Sequence, residues 1–114
     1  MPSGEDRLIA KYFKPLATAP GALALSDDAA TYAPPEGHEL VLTVDAVVSG
    51  IHFLPDDPPA TVARKALRVN LSDLAAKGAI PAGCLMTLAL PETVSETWLE
   101  GFAAGLKADC EQFA

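Results

Sequence analysis

Basic residues are scarce in this chain: eight Lys and Arg stand against fifteen Asp and Glu, a formal net charge of −7. A nucleic-acid surface neutralises phosphates with a basic footprint, so that class of partner is excluded. An acidic protein can still bind anionic phosphates when divalent cations stand between them. Long apolar runs are missing too. None approaches the roughly 18 residues that a membrane helix needs, and no membrane partner is expected. The segment Met1 to Asp6 lacks a basic stretch followed by an apolar one, which excludes an ordinary secretory signal and places the chain in the cytoplasm. Cysteine is limited to Cys84 and Cys110, too few and too far apart for a zinc site. A disulfide would be unusual in a reducing compartment. Cys84, inside the apolar run Gly83 to Leu90, reads as a small core residue.

What remains is globular. Half of the 114 residues are hydrophobic and a fifth are charged, against disorder and with room for one domain around one core. Ser3-Gly4-Glu5-Asp6 has the form of a capping box, and Leu8, Ile9, Tyr12, Phe13 and Leu16 follow at helical spacing. A helix is expected from about Glu5 to Lys14, ended by Pro15 and Pro20-Gly21. Short strands are expected over Ala22 to Ser26 and Ala29 to Tyr32, and a turn over Pro34-Pro35-Glu36-Gly37. Glu39 to Val48 is rich in β-branched residues, lacks Gly and Pro, and reads as the clearest strand. Pro55 to Pro59 is a rigid loop. Ala60 to Lys77 carries a helical pattern through Val62, Ala66, Val69 and Leu74, stopped by Gly78. Pro81 to Leu90 reads as another strand. Thr93-Val94-Ser95-Glu96 is a second capping box, and Trp98, Leu99, Phe102 and Leu106 form the stripe of a last helix. Gly101 and Gly105 weaken that helix by roughly 1 kcal/mol each and suit close packing. The order predicts an α/β (α+β) fold, helices packed on a mixed β-sheet.

The acidic residues carry the chemistry. Asp27-Asp28 follows the first expected strand, Asp45 interrupts an apolar one, and Asp73 lies in the long helix. Carboxylates from separate elements can converge on hard cations, and magnesium bound by one or two carboxylates plus substrate phosphates serves phosphoryl transfer. The same residues also fit a plainer account, with Asp27-Asp28 a turn, Asp73 solvated and Asp45 in a salt bridge. Composition does not decide between the two.

Longer strings do. Gly4-Glu5-Asp6 with Leu8 to Phe13, Ser26-Asp27-Asp28-Ala29-Ala30, Thr43-Val44-Asp45, Gly50-Ile51-His52-Phe53-Leu54-Pro55-Asp56, Lys65-Ala66-Leu67, Val69 to Ala76 and Gly78-Ala79 together resemble the N-terminal domain of thiamine-monophosphate kinases. The shorter Asp-containing elements are shared with a wider superfamily that includes aminoimidazole-ribonucleotide synthetase, selenophosphate synthetase and hydrogenase-maturation enzymes. The resemblance implies several magnesium ions, with Asp28, Asp45 and Asp73 as ligands, Asp27 as a neighbour, and Thr43 and Val44 as further contacts, Val44 through its backbone. It implies that His52 binds thiamine monophosphate, and that ATP is the phosphoryl donor. It assigns no catalytic side chain and no role to His38. It also implies a homodimer.

This sequence departs from the family where Ser26 replaces a Gly, and where Thr43-Val44-Asp45-Ala46 stands for Thr-Thr-Asp-Thr. Two hydroxyls that could serve a metal or its neighbours are thereby lost. Glu111 to Ala114 resembles the start of a strand, and the family's Gly-Gly-Asp segment and C-terminal domain are not in the sequence. Residues 1–114 are therefore expected to be a truncated N-terminal magnesium- and ATP-binding domain. Two other readings are a sister ATP-dependent synthetase and a non-catalytic dimerisation module.

Overall fold

Two long helices take up the apolar stripes of the sequence. In the computed structural model, which describes residues 4–113, the chain falls into two units, Met1–Leu40 and Val41–Ala114. The expected cap Ser3 lies outside the described residues.

In the first unit helix α1 spans Gly4–Leu8 and continues through a wider turn, Ile9–Phe13, into a 3₁₀ turn, Lys14–Leu16. The expected helix is present but changes pitch. Pro15 has no N–H to give and crowds the carbonyl four residues back, so the α-helical ladder cannot continue past it. Instead the Lys14 N–H reaches five residues back to the Ile9 carbonyl. Tyr12 is buried, and Leu8, Ile9, Phe13 and Leu16 are half-buried. Pro20–Leu25 forms a second 3₁₀ segment where the strand Ala22 to Ser26 was expected. Leu23, Ala24 and Leu25 there take φ of 51°, 51° and 56°, a left-handed conformation costing L-residues roughly 1–2 kcal/mol each. Gly21 is required for a close approach: a Cβ would lie 1.6 Å from the Thr31 carbonyl oxygen. The turn at Pro34 to Gly37 is as expected, with Gly37 at φ 79° and the His38 N–H donating to Pro35 at 3.1 Å.

The second unit is built on α2, Pro59–Ala76, and α3, Glu96–Gln112. Pro59 opens α2 at a position whose N–H would have no partner anyway. The helix closes with Gly78 at φ 71°, its N–H on Ala75, and the Ala79 N–H reaching Leu74, the paired bonds of a Schellman motif. α3 is capped by Ser95, whose hydroxyl accepts from the Trp98 N–H at 3.1 Å. The capping box read from the sequence is thus displaced, its hydrogen-bonding oxygen coming from Ser95 and not Thr93.

Val62 and Ala63 of α2 and Leu99, Phe102, Ala103 and Leu106 of α3 are buried. Gly101 faces Pro59, and Gly105 lies so near Ala60 that an added Cβ would sit 2.7 Å from its backbone. These glycines bring the two helix backbones together, the close packing they were expected to suit. Gly101–Pro59, Gly105–Ala60 and Asp109–Arg68 advance along both helices in the same sense, so α2 and α3 run in the same direction.

The fold expectation is corrected here. Among the described residues there is no strand and no sheet, only an isolated bridge between Ser49 and Phe53. Glu39 to Val48 and Pro81 to Leu90 run without regular hydrogen bonding, and Leu42, Val44 and Leu85 are 85%, 95% and 92% exposed. Strand propensity measures fit to a neighbouring strand more than a local backbone preference. These segments carry the composition of strands and have no ladder partner, so the α/β class with helices on a mixed sheet does not describe the chain. Cys84, expected in a core strand, is exposed for the same reason.

Candidate functional site

The loop between residue 48 and α2 is the most closely hydrogen-bonded irregular segment of the second unit. Its backbone folds on itself: Ile51 and His52 N–H groups donate to the Val48 carbonyl at 3.1 and 2.8 Å, and Gly50 donates to Phe53 at 2.7 Å. Gly50 holds φ at 80°, a value glycine adopts without strain. His52 then closes the turn with its side chain, Nδ1 accepting the Val48 N–H at 2.9 Å. Downstream the Asp57 carboxylate accepts the Leu54 N–H at 2.8 Å. From α2, the Lys65 ammonium donates to the His52 carbonyl. His52 is exposed, so a solvent-facing histidine is carried on a backbone fastened at several points.

The carboxylates are placed differently. In the first unit Asp27 and Asp28 are exposed, and the Asp27 side chain accepts the Asp28 N–H at 2.7 Å. That bond is local, between neighbours in the chain. In the second unit Asp45 is exposed, so the buried charge expected inside an apolar strand is not formed. Asp73 projects from α2 and accepts the Thr43 hydroxyl at 3.4 Å. Thr43 and Asp73, thirty residues apart, are the pair of expected metal residues that the structure brings together. Val44, next to Thr43 in sequence, is exposed.

As donors for magnesium the residues fit in chemistry. Carboxylate and hydroxyl oxygens are the right hard ligands. Among the described residues, however, no three His, Cys, Asp or Glu side chains gather as they would around a metal ion. No chemical step is therefore routed through a metal in this structure.

Four features escaped the reading of the sequence. Arg68 and Asp109 form a two-pronged pair, Nε to Oδ2 at 2.8 Å and Nη2 to Oδ1 at 2.9 Å, with Asp109 1% exposed. The Arg68 hydrogen bonds hold the Asp109 carboxyl below its ordinary pKa, against the opposing effect of burial. Two charges 41 positions apart leave no local signal. Asn70, within the Val69 to Ala76 string, donates to the Ala66 carbonyl at 2.8 Å while its Oδ1 is buried without a partner. Lys65 was visible only as part of a matched string. A mostly apolar pocket of about 380 Å³ lies along α2, lined by Arg68, Leu71, Ser72, Ala75, Ala79, Pro81 and Phe113. It contains none of the expected site residues. No helix among the described residues is long and apolar enough to cross a membrane.

Comparison with known proteins places these features in a family. Over 108 residues, 93% of this chain, it is 47% identical to the thiamine-monophosphate kinase of Escherichia coli (strain K12), covering 33% of that protein. It is 47% identical over 110 residues, 95% of the chain, to the thiamine-monophosphate kinase of Salmonella typhimurium, covering 34%. With that of Caulobacter vibrioides it shares 45% over 109 residues, 95% of the chain and 31% of the relative. The chain thus spans about a third of the length of these curated relatives. No solved structure matches it. The family model described as AIR synthase related protein, N-terminal domain, matches residues 26–114, and the chain belongs to that family.

Proposed function

We propose that this chain is the N-terminal part of a thiamine-monophosphate kinase. One observation carries the reading: relatives from several bacteria, all bearing that name, are 45–47% identical across nearly the whole chain. In the reaction a phosphate oxygen of thiamine monophosphate attacks the γ-phosphorus of ATP. The bond from that phosphorus to the β–γ bridging oxygen breaks, ADP leaves, and thiamine diphosphate forms. Both reactants are polyanions, so catalysis is chiefly a matter of positioning and charge.

His52 is the residue we assign to thiamine monophosphate. Its exposed ring on a fastened loop supports this, because a donor held in place loses little freedom when a ligand arrives. Magnesium belongs to the reading through its substrates, whose charge it would neutralise. We assign it to Asp28, Asp45 and Asp73, with Thr43, the Val44 backbone and Asp27 beside them. The Thr43–Asp73 contact supports only one pair of that set. A cytoplasmic homodimer completes the proposal, and sedimentation showing a monomer would remove the dimer.

The test is ATP- and magnesium-dependent formation of thiamine diphosphate by protein expressed from the complete gene. Product supports the kinase. A well-folded protein that forms none moves the assignment to the sister synthetases.

A further inference from the structure

We infer that Lys65 is a positioning residue that, together with the Val48 amide, holds His52 as a fixed Nε2–H donor aimed at a phosphate oxygen of thiamine monophosphate. The inference rests on the kinase reading above and names how one residue of that site is prepared.

The argument begins with the imidazole. A backbone N–H can only donate, and the Val48 N–H lies 2.9 Å from His52 Nδ1. Nδ1 must therefore be the bare, accepting nitrogen, and in the neutral ring the proton sits on Nε2. Nε2 has no partner among the described residues, and the side chain is exposed. The ring thus offers one outward N–H, which suits an oxygen acceptor and does not suit a donor or a bare cation.

The backbone beneath the ring is held from both sides. His52 and Ile51 donate to the Val48 carbonyl, and Gly50 to Phe53. These bonds are local to the turn. The Lys65 ammonium is different, because it comes from α2 and takes hold of the His52 carbonyl itself. Lys65 lies one turn beyond Thr61, within the first half of α2, and its helix is anchored by buried Val62 and Ala63. The loop is thereby tied to a packed helix at the residue that carries the donor. An exposed lysine beside phosphate chemistry would ordinarily be read as a phosphate ligand. Here its ammonium is already placed on the His52 carbonyl.

Two measurements test this together. In the protein expressed from the complete gene, nitrogen-15 correlation spectra of the imidazole should show the Nε2–H tautomer alone for His52. Lys65→Met should give a mixture of tautomers, and Lys65→Arg, which keeps a donor, should restore the single form. A merely structural lysine would leave the tautomer unchanged while lowering stability. In the enzyme from the complete gene, Lys65→Met should raise KM for thiamine monophosphate about tenfold, with KM for ATP unmoved and kcat changed less than threefold. His52→Ala should do the same, and the double variant should be no worse than His52→Ala alone, because the two act as one unit.

A single Nε2–H tautomer in Lys65→Met overturns the positioning role. A rise in KM for ATP in place of thiamine monophosphate overturns the assignment of the oxygen to that substrate. If the wild-type enzyme makes no thiamine diphosphate, the kinase reading fails, and the substrate half of the inference with it. The spectra still decide separately whether Lys65 sets the ring.

Discussion

Asp109 shows how one residue can set the pH response of a small protein. Its carboxyl is depressed because Arg68 hydrogen-bonds the charged form, and that outweighs the opposing effect of burial. A depressed carboxylate contributes stability above its unfolded pKa of about 4 and loses it as pH falls through the lower folded value. Thermal unfolding of the wild type should therefore drop steeply below about pH 4. Asp109→Asn should lower Tm by several degrees at neutral pH and remove that part of the acid dependence. An unchanged acid limb would mean other carboxylates control it. The cysteines give a second residue-scale outcome. Cys84 is exposed, whereas Cys110 is half-buried and its thiol is pushed up by burial, then by the neighbouring Cys84. Since the thiolate is the nucleophile, iodoacetamide at neutral pH should label Cys84 first, by roughly tenfold or more. Equal rates, read by mass spectrometry, would contradict the burial of Cys110.

At the scale of the element, α2 and α3 bury apolar side chains together and approach closely at small residues. Gly105 is the point of closest approach, where a methyl group would meet the Ala60 backbone at 2.7 Å. In an isolated helix Gly105→Ala would gain about 1 kcal/mol of propensity. Here the clash is with backbone on a packed helix, which cannot rotate aside, and overpacking typically costs about 1–3 kcal/mol. Gly105→Ala should be net destabilising in urea titration. A stabilised variant would mean that the helices stand farther apart. The cap of α3 offers a smaller effect. Ser95→Ala removes the bond to the Trp98 N–H and should cost about 1 kcal/mol, while Thr93→Ala should cost much less.

At the scale of the whole molecule, stability is distributed unevenly. The buried apolar side chains of the second unit lie on α2 and α3, while residues 39–48 and 81–90 run without regular backbone hydrogen bonds. Amide exchange follows local opening, so amides of those two segments should exchange orders of magnitude faster than the centres of α2 and α3. Slow exchange over Glu39 to Val48 would show that those amides have partners, and would overturn the unpaired account of that segment.

Much of the helical content was legible from residue order. The 3.6-residue spacing of Leu99, Phe102 and Leu106 placed the buried face of α3, and Gly78 marked the end of α2, because both are local rules of one helix. Gly101 and Gly105 suited close packing but did not name its partner. The loop string around His52 pointed to that residue, while the accepting role of its Nδ1 appears only with the Val48 amide in place. What local rules could not decide was pairing. Whether Glu39 to Val48 becomes a strand depends on a neighbour supplied from elsewhere, and among the described residues there is none. The Arg68–Asp109 bridge, the Lys65 tie and the Thr43–Asp73 contact are likewise facts of distance between remote positions. Residue order sets which groups exist and which way each turn winds. Only the packing of one element on another settles which of those groups meet.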